Sequence, residues 1–139
     1  MKIVGLTFKK ISIEKLSDKT ENLKVETKID LSEISQVKAD LFKTKDDFLG
    51  VKFSYIINYN PNYVKIEFKG DLLVSLDQRQ SREILKQWKE KKIEEDFKIF
   101  VFNAILRKAN LKAMELEDEM NLPLHIPLPA IRKESKEKK

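Results

Sequence analysis

Residues 51–76 read VKFSYIINYNPNYVKIEFKGDLLVSL. Val51, Phe53, Tyr55, Ile57 and Tyr59 share one phase of a two-residue period, Asn60-Pro61-Asn62 turns the chain, and Val64, Ile66 and Phe68 resume the alternation through Leu72 and Val74. Period two marks a strand with one buried face, so this stretch predicts a β-hairpin. The opposite phase carries Lys52, Ser54, Asn58, Lys65, Glu67, Lys69 and Asp71. That polarity predicts an antiparallel sheet covered on one side only. Gly70, inside the second strand, predicts a bulge or the close approach of another backbone.

Working outward toward the N-terminus, Val25, Thr27, Ile29 and Leu31 again alternate, which predicts a strand. Leu6 to Leu16 predicts another. There Leu6 and Phe8 lie in one phase and Ile11 and Ile13 in the other, as a bulge near Lys9-Lys10 would produce. Between these strands and the hairpin, Ser32 to Asp47 fits a short helix (Ile34, Val37, Leu41, Phe42) as well as an extended crossover.

Toward the C-terminus, Ser81, Glu83, Ile84, Leu85 and Trp88 predict a short amphipathic helix. A longer helix from Glu94 to about Met120 contains neither Gly nor Pro and opens on Glu94, Glu95 and Asp96, where negative charge suits the helix dipole. Within it FKIFVFNAIL, residues 97–106, is apolar round nearly its whole circumference. One sheet cannot bury such a helix. A second copy of the chain is therefore expected to cover the remainder, with Phe97, Phe100, Val101, Ala104 and Ile105 as the oligomer interface. Asn121 to Pro129 reads NLPLHIPLP, whose prolines impose an extended course over the surface.

The expected class is α+β: a four-stranded antiparallel sheet packed on a long C-terminal helix with a short helix before it. With 139 residues, 41% of them hydrophobic, the chain can fill one core. Residues 1–131 are expected to form a single domain and residues 132–139 a charged, disordered tail. The chain carries +5, but five cations from Arg132 onward against Glu134 and Glu137 give that tail +3, leaving about +2 elsewhere. Cysteine is absent, so thiolate chemistry and disulfides are excluded. The charged fraction of 37%, dominated by Lys and Glu, is the balance expected of a thermophile. No apolar run reaches the about 20 residues of a membrane span, and Met1 to Leu6 does not resemble a secretory signal, so a cytoplasmic location is expected.

Little in the sequence suggests chemistry. Gly5, Gly50 and Gly70 are the only glycines, so no phosphate-cradling loop can form. His125 is the single histidine, which disfavours a metal site and leaves a structural or surface role. The acidic groups Asp46-Asp47, Glu94 to Asp96 and Glu115 to Glu119 read as solvated faces among lysines. No cofactor and no catalysis are expected. The aromatics Phe53, Tyr55, Tyr59, Tyr63 and Phe68 beside Lys52, Lys65 and Lys69 could stack single-stranded RNA. Their shared phase favours core packing instead, with Tyr59 and Tyr63, near the turn, the ones expected to be exposed.

In this order of elements, FKKISIEKL (Phe8 to Leu16), VKIEFKGDLLVSL (Val64 to Leu76), FKIFVFNAILRKA (Phe97 to Ala109) and NLPLHIPLP (Asn121 to Pro129) together resemble the layout of the SecB-like chaperones. The chain departs from that family in being basic, and Glu94 to Phe100 stands where the family has Cys-Pro and Pro-Tyr. The resemblance implies an assembly in which the main helices pack at the interface, as a dimer or a dimer of dimers. It implies an ATP-independent holdase for unfolded polypeptides, some relatives serving toxin-antitoxin pairs. By position, the polypeptide-binding groove would draw on Leu41, Phe42, Phe48, Tyr59, Tyr63, Leu122, Leu124, Ile126 and Leu128. The competing expectation, from net charge and tail, is an RNA- or ribosome-associated protein whose binding falls steeply with salt.

Overall fold

The computed structural model describes residues 1–18, 21–38 and 45–133. Four strands are followed by two helices: β1 (Lys2–Lys15), β2 (Lys24–Val37), β3 (Asp47–Asn60), β4 (Val64–Leu76), α1 (Gln78–Lys89) and α2 (Glu95–Glu119). The strands form one antiparallel sheet in the order β1-β4-β3-β2. The hairpin read from residues 51–76 is its centre, with Val51 opposite Leu72 and Tyr59 opposite Val64.

Register shifts explain where the alternation looked broken. In β1 the pairing slips between Phe8 and Lys10, so Phe8 opposite Gly70 and Ile13 opposite Ile66 both pack on the core although their sequence phases differ. In β2 it slips between Leu31 and Glu33, which keeps Ile34 on the core face opposite Val51. That slip gives Leu31 and Ile34 a three-residue spacing that imitates a helix. Of the two readings open for Ser32 to Asp47, the extended one holds in the described residues: β2 continues to Val37 and β3 begins at Asp47. Likewise β1 starts at Lys2, four residues before its expected beginning at Leu6.

Both helices cover the same face of the sheet. α1 starts at Asp77, whose carboxylate accepts from the Gln80 N–H at 2.8 Å, and ends with Lys91 in the left-handed region at φ 56°. One core joins Leu49, Val51, Phe53, Leu72 and Val74 to Ile84 of α1 and to Phe97, Val101 and Ile105 of α2. A second joins Tyr55, Ile57, Tyr59, Val64, Ile66 and Phe68 to Ala109, Ala113 and Leu122. On α2 the buried seam runs at every fourth residue: Phe97, Val101, Ile105, Ala109, Ala113 and Glu117. Its bulky residues Phe97, Val101 and Ile105 pack in the cluster that α1 shares, and its alanines Ala109 and Ala113 in the cluster at the tyrosine end of the sheet.

Phe97, Val101 and Ile105 are completely enclosed by the chain's own sheet. They leave nothing for a partner to touch, so these three of the five expected interface residues belong to the core. Phe100 and Ala104 remain half-buried on the flank of α2, while Ile99 and Leu111 are 51% and 62% exposed.

Candidate functional site: an open sheet face and a proline-rich strap

On the uncovered face of the sheet the polar middle gives way, near the start of β3, to a row of small and apolar residues. Gly5 of β1 pairs with Leu73 of β4, Leu73 with Gly50 of β3, and Gly50 with Ser35 of β2. Glycine on both sides strips the neighbours of side chains, so Leu73 stands alone on the floor of a trough of about 440 Å³. Val4 and Val37, both largely exposed, wall it, and Thr7, Lys52 and Asp71 line one end. A Cβ on Gly50 would meet Val37 Cγ2 at 3.0 Å, whereas one on Gly5 would meet nothing within 4 Å. An apolar floor with a polar rim, open along its length, can hold an extended apolar segment without reading its sequence.

The second feature is the chain after α2. Asn121 adopts φ 55°, reversing the direction, and the Leu122 N–H closes onto the Glu117 carbonyl at 2.8 Å. Leu122 is buried in the tyrosine core, and the Tyr59 hydroxyl donates to the Pro123 carbonyl. His125 then turns back onto α2, its Nδ1 lying 2.9 and 2.8 Å from the two carboxylate oxygens of Glu117. Burial, and next the nearby Glu117, hold the Tyr59 phenol protonated well above the usual tyrosine range; burial does the same, less strongly, for Tyr55.

These positions separate the residues expected to bind polypeptide. Leu41 and Phe42 lie outside the described residues. Phe48, opposite Ser75 and Val37, is buried and sits on the trough side of the sheet at its near end. Tyr59 lies eleven residues further along β3 and on the helix side, about 36 Å away by strand rise. The expectation that Tyr59 and Tyr63 are exposed is corrected, since they are 1% and 4% exposed in the core. Both pack beneath the strap, where Leu122 fills the space that solvent would otherwise occupy. Leu124 and Ile126 are half-buried in the strap and Leu128 is exposed. Glu117, read as part of a solvated acidic run, is instead buried.

Sequence reading missed the trough because Leu73 shares its phase with Lys69 and Asp71, and that face was read as uniformly polar. The available signal was Gly5 and Gly50, two of only three glycines, each in a strand. Among the described residues no group of three His, Cys, Asp or Glu could hold a metal ion, and no helix is long and apolar enough to cross a membrane.

No family model matches the chain, and no curated protein matches it. Among solved structures it is similar to the Mycobacterium tuberculosis Rv1957 SecB-like chaperone, solved in complex with a ChAD peptide from the Rv1956 HigA1 antitoxin. The likeness covers 96% of this chain and 92% of that one at 10% sequence identity, with a TM-score of 0.53. The four-stranded antiparallel sheet followed by two helices, the last one long, is a SecB-like α+β fold.

Proposed function

We propose that this protein is an ATP-independent, SecB-like holdase that binds non-native polypeptide along the open face of its sheet. The observation that carries this reading is the trough in which Leu73 stands between Gly5 and Gly50. It has an apolar floor, bare of side chains on either side of Leu73, and is open at the surface of a fold shared with a peptide-bound SecB-like chaperone. An extended client there would bury apolar side chains on Leu73, Val4 and Val37 and keep its polar groups at Lys52, Asp71 and solvent. The outer edges of β1 and β2 add unpaired backbone donors and acceptors, which recognise any extended chain.

The same reading gives the solvent side of α2 to a second copy of the chain. Ile99 and Leu111 are exposed there beside two shallow grooves, one lined by Ile93, Phe102 and Leu106, the other by Ile3, Leu6 and Ala104. A homo-oligomer would bury this surface and leave the trough on the opposite face free.

The test is light scattering from a denatured client diluted into buffer at low and high salt, with the wild-type protein and with Leu73→Lys. Suppression by the wild type that survives high salt, and its loss in the variant, is the expected result. Absence of suppression at either salt overturns the holdase reading, and suppression confined to low salt favours an electrostatic partner.

A further inference from the structure

Glu117 stands in the last turn of α2, where the helix presents unpaired carbonyls and a carboxylate is least welcome. It is nevertheless fully buried, and so is the His125 side chain, 2% exposed. A buried carboxylate persists only when its oxygens are met by donors. His125 supplies them: its backbone N–H reaches Oε1 at 3.2 Å, and Nδ1 faces both oxygens. On the other side of the ring Nε2 lies 2.9 Å from Oδ1 of Asn110, an oxygen that already accepts the Tyr55 hydroxyl at 2.7 Å. Each ring nitrogen therefore faces an acceptor, and satisfying both takes two N–H groups, which only the doubly protonated imidazole carries. The titratable groups facing the pair are Tyr55 and Tyr59, from β3.

The geometry points to a charged latch: the Glu117–His125 pair, helped by the Tyr59 hydroxyl on Pro123, clamps residues 122–126 over the tyrosine end of the sheet as a strap that can be released. Apart from this pair the strap is held by buried Leu122, whose N–H closes onto the Glu117 carbonyl, by the bond of the Tyr59 hydroxyl to Pro123 and by the contact of His125 Nε2 with Asn110. When the pair breaks, the strap lifts, Leu122 leaves its seat, and the apolar faces of Tyr59 and Tyr63 open as a second polypeptide surface on the helix side. That use rests on the holdase reading, whereas the latch itself is a property of the isolated protein and is tested without a client.

His125 is the only histidine, so its ring nitrogens give unambiguous signals in a long-range nitrogen–proton spectrum. Two protonated nitrogens in the folded protein near neutral pH are expected. A single neutral tautomer overturns the charged latch. Amide hydrogen exchange then reads release: in Glu117→Gln and in His125→Gln, Leu122 and His125 should exchange roughly ten- to hundredfold faster, the change expected for loss of one buried charge-assisted hydrogen bond. The amides of β3 and β4 should keep their protection, and Asn110→Asp, which preserves an acceptor opposite Nε2, should keep the strap closed. Unchanged exchange in both latch variants, or sheet protection lost in step with the strap, overturns the proposal. Should clients fail to bind while the strap opens as described, the holdase reading falls and the latch stands.

Discussion

Phe53 and Gly70 face each other across the β3–β4 pairing, and the phenyl ring occupies the space that a side chain on Gly70 would need. A methyl group there would stand 2.9 Å from Cζ of Phe53 and would strike the backbone carbonyl of Thr7. Neither neighbour is the loose end of a flexible chain. Gly70→Ala is therefore expected to cost about 1–3 kcal/mol through overpacking, read as a lower denaturant midpoint at unchanged slope. The control is Gly5→Ala, where a methyl meets nothing within 4 Å; it should be neutral or stabilise by up to about 1 kcal/mol.

The α2 surface separates folding from association. Ile105 is enclosed by the sheet, so Ile105→Ala should lower stability by about 2–5 kcal/mol. Ile99 and Leu111 touch solvent, so Ile99→Lys with Leu111→Lys should change stability by no more than about 0.5 kcal/mol per site. If a second copy covers this face, the double variant will sediment as a smaller species than the wild type. Equal sedimentation of the two would remove this face from any interface.

What the sequence made legible was whatever obeyed a single period. The hairpin from Val51 to Leu76, the close approach at Gly70 and both helices could be read because alternation or helical spacing ran through each, and the slip near Lys9 because a clear phase on one side of it gives way to the opposite phase on the other. The end of β2 was not legible, because the slip after Leu31 turns a two-residue spacing into three and makes Ile34 look helical. The all-round apolar stretch from Phe97 to Leu106 announced two buried sides without saying which residues faced which. The latch was hidden for another reason. Glu117 and His125 lie eight residues apart in an acidic run and a proline-rich run, and only the left-handed turn at Asn121 brings them together. Tyr59 and Tyr63 were misplaced because their cover comes from Leu122, outside the sheet's own pattern.

Two sets of groups make stability depend on pH in opposite directions. The Lys10 ammonium lies 2.6 Å from the Glu67 carboxylate, and this hydrogen bond, ahead of any other influence, holds Glu67 below the usual carboxylate range. A depressed folded value means stability that is present above the unfolded glutamate value, about 4.3, and is lost as pH falls through the folded one. Denaturant midpoints measured from neutral pH down to about pH 3 should fall less in Glu67→Gln than in the wild type. Tyr55 and Tyr59 are raised, chiefly by burial. Their contribution is intact below the unfolded tyrosine value of about 10 and is lost as pH climbs through the folded values. Phenolate absorbance should appear together with loss of the sheet's circular dichroism, and Tyr59→Phe should delay that loss. Phenolate formation well ahead of any unfolding would show that the tyrosines are accessible.

The trough and the strap lie on opposite faces of the sheet, and Gly50 is nine residues of β3 from Tyr59, about 30 Å along the strand. A short apolar peptide, six to eight residues or roughly 20–27 Å extended, can occupy one of them but cannot bridge both. Leu73→Lys places a charge on the trough floor and should abolish binding of such a peptide, whereas Leu124→Ser with Ile126→Ser should leave it unchanged. A full-length unfolded client can pass round the edge of β1 or β2 and use both surfaces. Each variant should then weaken capture by part, and the two effects should multiply, because contacts so far apart act independently until linkage raises their effective concentration. Loss of short-peptide binding in the strap variant with Leu73→Lys unaffected would move the binding site from the open sheet face to the proline-rich segment.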